Sequence, residues 1–127
     1  KELNAAISLP TRLFAASSPY WADKKPKGEH YITDGPFMYR TKEGKLLLIW
    51  STFVNHKYCQ CVARSSDNEL NGVFEHLPLL IDNDGGHGMI FKAEDKLYPS
   101  YHTPNTNGLE HPKFTLIKDN GKSIELV

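Results

Sequence analysis

Asp34-Gly-Pro-Phe-Met-Tyr-Arg-Thr-Lys-Glu-Gly-Lys-Leu-Leu-Leu-Ile-Trp-Ser-Thr-Phe53 is the stretch whose reading decides the fold. A carboxylate stands at the mouth of a turn. Phe37 to Thr41 reads as a short strand, Lys42-Glu43-Gly44 as a tight turn, and Lys45 to Phe53 as a second strand. The second strand is almost continuously apolar, so it is expected to be packed on both faces. Asn55-His56 marks the next turn. In the third strand, Lys57 to Ser65, Cys59, Cys61 and Ala63 alternate with Tyr58, Gln60, Val62 and Arg64. The small face of that strand is expected to let a neighbouring sheet approach. Turn residues between Asp67 and Gly72 precede a fourth strand, Phe74 to Leu80.

The pattern then begins again. Asp84-Gly85-Gly86-His87-Gly88 reads as a loop, Met89 to Ala93 as a strand, Glu94-Asp95 as a turn and Lys96 to Thr103 as a strand. Lys113 to Lys118, the Asp119-Asn120-Gly121 turn and Ser123 to Val127 complete the unit. At an offset of 51 residues, Met38 meets Met89, Glu43 meets Glu94, Lys45-Leu46 meets Lys96-Leu97, Trp50 meets Tyr101 and Thr52 meets Thr103. The Asp34-Gly35 and Asp84-Gly85 pairs align to within one residue. About four strands in a period near 50 residues is the pattern of a β-propeller blade. The expected fold is therefore all-β: a partial β-propeller of two four-stranded antiparallel blades, 34–81 and 82–127, after an N-terminal arm or blade end, 1–33. Leu13, Phe14, Tyr20 and Trp21 are the expected anchors of the arm, and Asp23 to Gly28 a solvated loop. Pro99 cannot donate to a ladder, so its strand is expected to be irregular or at an edge.

Composition narrows the function. Lys+Arg and Asp+Glu number 15 each in 127 residues. A zero net charge argues against a nucleic-acid partner, which needs a basic footprint, and against an anionic membrane surface. No apolar run approaches the roughly 20 residues of a spanning helix. The chain opens at Lys1 without a signal-peptide pattern, and is expected to be a piece of a longer or processed protein. Cys59 and Cys61, two apart on one strand face, read as packed thiols rather than a disulfide or a zinc site.

Thr33-Asp-Gly-Pro-Phe37, Gly44-Lys-Leu-Leu-Leu-Ile-Trp-Ser-Thr52, Tyr58, Val62-Ala-Arg-Ser65, Asp84-Gly-Gly-His-Gly-Met-Ile-Phe91 and His102-Thr-Pro-Asn105 carry a further signal. In this order, from about Leu9 onward, they resemble the C-terminal part of family 43 glycoside hydrolases. That resemblance implies a five-bladed propeller enzyme acting on arabinose- and xylose-containing polysaccharides. It implies inverting hydrolysis, in which one carboxylic acid protonates the leaving oxygen and a second carboxylate activates water. Asp34 matches the position of the general acid, where the family more often has Glu. The shorter side chain shifts the carboxyl group by about an ångström, a displacement that matters to catalysis. The base and a third, tuning carboxylate belong to earlier blades and have no match here, so these 127 residues alone are expected to be inactive.

His87 is implied at the pocket floor, or beside a structural ion at the propeller axis, often calcium, contacted through water. The flanking Gly86 and Gly88 suit close backbone approach. His102 and Asn105 are the other pocket candidates. Glu110-His111-Pro112 resembles a family Glu-Arg-Pro turn with His in place of Arg. The resemblance implies a carbohydrate substrate, no cofactor for the chemistry, and a secreted or periplasmic setting. Further blades or self-association are expected to cover the open sheet faces. Read alone, Asp34 is a turn residue bonded to nearby N–H groups, His87 a turn or partnered histidine, and Trp50 and Tyr101 core. A non-catalytic carbohydrate-binding module and a protein-interaction repeat are the competing functions.

Overall fold

The computed structural model describes residues 9–127; the first eight residues of the expected arm lie outside the described part. Nine strands follow the arm: β1 (Asp34–Arg40), β2 (Leu46–Val54), β3 (Lys57–Ser65), β4 (Phe74–His76), β5 (Gly86–Ala93), β6 (Lys96–Thr103), β7 (His111–Phe114), β8 (Ile117–Asp119) and β9 (Ile124–Leu126). They form two antiparallel sheets and no helix among the described residues. The first sheet runs β1-β2-β3-β4 and the second β5-β6-β8-β9, with β7 also beside β6.

Local chemistry sets most boundaries. The β2–β3 and β5–β6 hairpins close through Asn55-His56 and Glu94-Asp95, whose residues all have positive φ, the geometry that matches strand twist in two-residue loops. Pro78 follows β4, which is shorter than the expected Phe74 to Leu80, although Leu80 N still donates to Gln60 O at 2.9 Å. The expected strand Lys113 to Lys118 is split into β7 and β8. Both keep one register against β6, Ser100 opposite Phe114 and Leu97 opposite Ile117. The ladder lapses opposite Tyr98 and Pro99, where Pro99 has no N–H to offer. Five strand segments thus fill four positions, with Pro99 inside the sheet and not at an edge.

The repeat is visible as a shared irregularity. In the first hairpin the pairing passes from Asp34–Ser51 to Phe37–Ile49, and in the β5–β6 hairpin from Gly86–His102 to Met89–Ser100. Each first strand carries a bulge at the same place. The second hairpin turn is one residue shorter, Glu94-Asp95 against Lys42-Glu43-Gly44. Phe37, not Met38, is therefore the counterpart of Met89, and Gly86, not Asp84, the counterpart of Asp34. Trp50 and Tyr101 do occupy equivalent places, and both are buried. The bulge also extends β5 back to Gly86, into the segment expected as a loop.

Two cores hold the layers together. Between the sheets, Leu47, Ile49 and Val62 pack against Ile90, Tyr101, Ile117 and Ile124. On the other side of the first sheet, Leu48, Trp50, Cys59, Cys61, Ala63 and Phe74 are covered by Leu13, Phe14, Ala16 and Trp21 of the arm. The small face of β3 therefore receives aromatic rings of the arm instead of a sheet. Trp21 Nε1 donates to Leu77 O at 2.9 Å, anchoring the arm, whereas Tyr20 is 76% exposed. Both cysteines are buried and free, and burial pushes the Cys59 thiol up to about 11. At the far end Asp119 Oδ2 accepts from Tyr39 Oη (2.9 Å) and Lys42 N (2.8 Å), tying the two sheets by their turns. The opposite end is left for the two bulges.

Candidate active site

The bulges bring Asp34 and His87 together across the junction of β1 and β5. Asp34 Oδ2 accepts a hydrogen bond from Tyr58 Oη at 2.8 Å and lies 3.1 Å from His87 Nδ1. Asp34 Oδ1 accepts from the N–H of Gly35 at 2.9 Å, the turn bond expected of an Asp-Gly pair. Both side chains reach solvent, Asp34 at 44% exposure and His87 at 54%. Burial acts on the Asp34 carboxyl group to raise its proton affinity. The bonds from Tyr58 and Gly35 and the nearby His87 outweigh it, so the group is held below the usual carboxylate range. Tyr58 moves the other way: burial, then the Asp34 carboxylate, push its phenol well above the ordinary tyrosine value.

A second polar layer lies behind. The His102 ring stacks on Tyr58 with centroids 5.4 Å apart, and the rings of His87 and His102 are 6.3 Å apart. His102 Nε2 is 2.9 Å from Asn105 Oδ1, so Asn105 orients His102 without reaching Asp34 itself. Asp84 was not among the expected site residues, yet it organises this layer. Its carboxylate accepts from Tyr58 N (3.2 Å) and Asn105 N (3.0 Å), and its carbonyl from Thr103 Oγ1 (2.9 Å). Its left-handed backbone, φ 67°, is the one local sign of that role. An open groove of about 590 Å³ runs past the site, lined by Gly35, Pro36, His87 and His102 and by Glu110, His111 and Pro112. The turn resembling Glu-Arg-Pro thus borders the same groove.

His87 itself has φ 57°, left-handed backbone that costs a non-glycine residue about 1–2 kcal/mol. A Cβ on Gly35 would lie 2.9 Å from the His87 ring, so the two bulges fit only because that position is bare. As a calcium site the residues do not suffice. No group of three or more His, Cys, Asp or Glu side chains among the described residues is arranged to hold a metal ion. His87 Nδ1 is engaged by Asp34, and calcium prefers oxygen ligands.

Asp34, His87, His102 and Asn105 are thereby gathered at one end of the molecule, and Tyr58 and Asp84 join them. His87 and His102 can exchange hydrogen bonds with hydroxyl groups in the groove, and the Asp34 carboxylate stands directly behind His87. Among solved structures, the chain is similar to the endo-arabinase from Bacteroides thetaiotaomicron VPI-5482, at 37% sequence identity and a TM-score of 0.76. The similarity covers 87% of this chain and 41% of that one, so the chain spans less than half the length of that enzyme. No protein-family model and no curated protein matches the chain. Its two antiparallel sheets are built as part of an arabinanase-like β-propeller.

Proposed function

We propose that the chain is the C-terminal part of a family 43-type glycoside hydrolase that cleaves arabinan by inversion, with Asp34 at the position of the general acid. The observation that carries this reading is the Asp34 carboxylate on His87, a residue that lines the groove, in a chain 37% identical to an endo-arabinase. A general acid must be protonated when substrate arrives. With the site open to water, Tyr58, Gly35 and His87 keep Asp34 ionised. Burial is already the largest single influence on it and acts upward. A bound sugar that excludes water strengthens that influence and moves Asp34 toward the protonated form its role needs. His87 and His102 then hold sugar hydroxyls. The base is supplied from outside this chain, as inversion requires a second carboxylate about 6.5–9.5 Å from the acid.

The test is a titration of arabino-oligosaccharides into the ¹⁵N-labelled chain. Saturable shifts at His87 and His102 are expected, absent in Asp34→Ala. No shift at these residues sinks the proposal. Release of arabinose by the chain alone contradicts the external base. The lowered proton affinity of Asp34 also favours a second reading, a sugar-binding surface without turnover. Hydrolysis by a longer protein containing this chain, abolished by Asp34→Asn, decides against it.

A further inference from the structure

We infer that Ser51 and Gln60 are positioning residues of this pocket: from within the core they hold the Gly86-His87-Gly88 bulge so that the His87 ring stays on Asp34. Both are fully buried. They belong to β2 and β3, in the first sheet, on the faces that carry Leu47, Ile49 and Val62 into the apolar core between the sheets. Their partners are in the second sheet. Ser51 Oγ accepts from His87 N at 2.8 Å, and Gln60 Oε1 accepts from Gly88 N at 2.8 Å. Gln60 Nε2 donates to Trp50 O at 3.2 Å, and its main-chain N donates to Ile81 O at 2.9 Å, which fixes the side chain from behind.

The need for these two acceptors follows from the bulge. Pairing of β5 with β6 is broken between Gly86–His102 and Met89–Ser100. The His87 and Gly88 amides lie in that break, and a buried amide demands a partner. Side chains of the other sheet replace the missing ladder. The contact is close: a Cβ on Gly86 would lie 2.8 Å from Ser51 Oγ, and one on Gly88 would lie 2.6 Å from Gln60 Oε1. Glycine on both sides of His87 is therefore what lets the two polar side chains reach the backbone. An apolar pair at 51 and 60 would keep the sheets packed and leave the bulge without direction. The hydrolase reading supplies only the ligand of this pocket; the positioning itself rests on these contacts.

The experiment uses NMR on the ¹⁵N-labelled full chain. In the unmodified protein the His87 and Gly88 amides should exchange about 100-fold more slowly than in an unstructured segment, with a nuclear Overhauser effect between Gly35 Hα and His87 Hδ2. Fast exchange at Gly88 overturns the inference. In Gln60→Met the remaining spectrum should persist while Gly88 exchange accelerates and the Gly35–His87 effect falls by more than half. Should Gln60→Met fail to fold, Ser51→Ala, which only removes an atom, is read the same way at His87. An unchanged Gly35–His87 effect in a folded variant overturns the inference. Absence of sugar binding by a protein in which these contacts are intact sinks the hydrolase reading and leaves the positioning standing.

Discussion

The two sheets share a plan and differ in what covers them. The first is enclosed on both faces, by the arm on one side and the second sheet on the other. Its β2 and β3 strands are buried almost throughout. The second sheet is enclosed on one face only. Burial in β5 alternates, and Met89 (55% exposed), Phe91 (36%) and Phe114 (57%) lie open. Phe91 packs edge-on against Phe114 and stacks on Tyr98, each with centroids 5.6 Å apart. That face thus presents an aromatic cluster to solvent. β2, covered on both faces, is apolar from Leu46 to Trp50, whereas its counterpart β6 sets Lys96, Ser100 and His102 among its apolar residues: the number of covered faces goes with how a strand's sequence reads.

That comparison can be broken at several points. The largest effect is expected in the enclosed sheet. Ile49→Ala should cost about 2–5 kcal/mol, a large fraction of the roughly 5–15 kcal/mol of a domain, measured by urea denaturation. A cost below about 1 kcal/mol would mean that the inter-sheet core is not continuous.

Acid should act next, on the arm side. His76 is packed against Phe14, Trp21 and Trp50, its two ring nitrogens have no hydrogen-bond partner, and burial lowers its pKa below the ordinary 6.5. The unfolded chain then binds the proton more readily than the folded one. Stability from this residue is whole above about pH 6.5 and declines as pH falls below it toward the lower folded value. Tryptophan fluorescence should report loosening of the arm over that window, and His76→Phe should suppress it.

On the open sheet, Phe91→Ser should change stability by no more than about 0.5 kcal/mol yet weaken self-association, followed by light scattering. A protein that is monomeric with or without the substitution would show that this face needs no cover. The smallest effect is local. Tyr58→Phe removes one donor from Asp34 and should raise the Asp34 pKa toward the ordinary carboxylate value, read by carboxyl ¹³C titration. An unmoved pKa would make His87 and Gly35 sufficient.

Much of the fold was legible in local patterns. β3 ends where its alternation ends, at Lys57 and Ser65, and both two-residue turns were marked by polar residues, Asn55-His56 and Glu94-Asp95. The repeat was legible too, but not its true alignment. A one-residue difference in turn length sets β5 one residue off from β1 in the repeat, although both turns were read; the bulge the two hairpins share leaves no mark in composition. Tyr20 was indistinguishable in kind from Trp21, and only packing decided which ring was buried. For the site, Asp34 and His87 stood out through the motifs they sit in. Asp84, Ser51 and Gln60 did not, because a polar residue on an apolar strand acquires its meaning from the group it meets.

Sequence by itself determined that this protein is made of short antiparallel strands in two similar units, since period, turn residues and apolar runs are local properties. It also marked the Gly-His-Gly segment as a place where backbone comes close to something. Only the tertiary structure decided what that something was. Tyr58, Ser51 and Gln60 of one sheet meet the bulge of the other, and the Asp34 carboxylate is charged or not according to neighbours 24 and 53 residues away. Hydrogen bonds and desolvation act through space over a few ångströms, and the chain order does not record which residues will share those few ångströms.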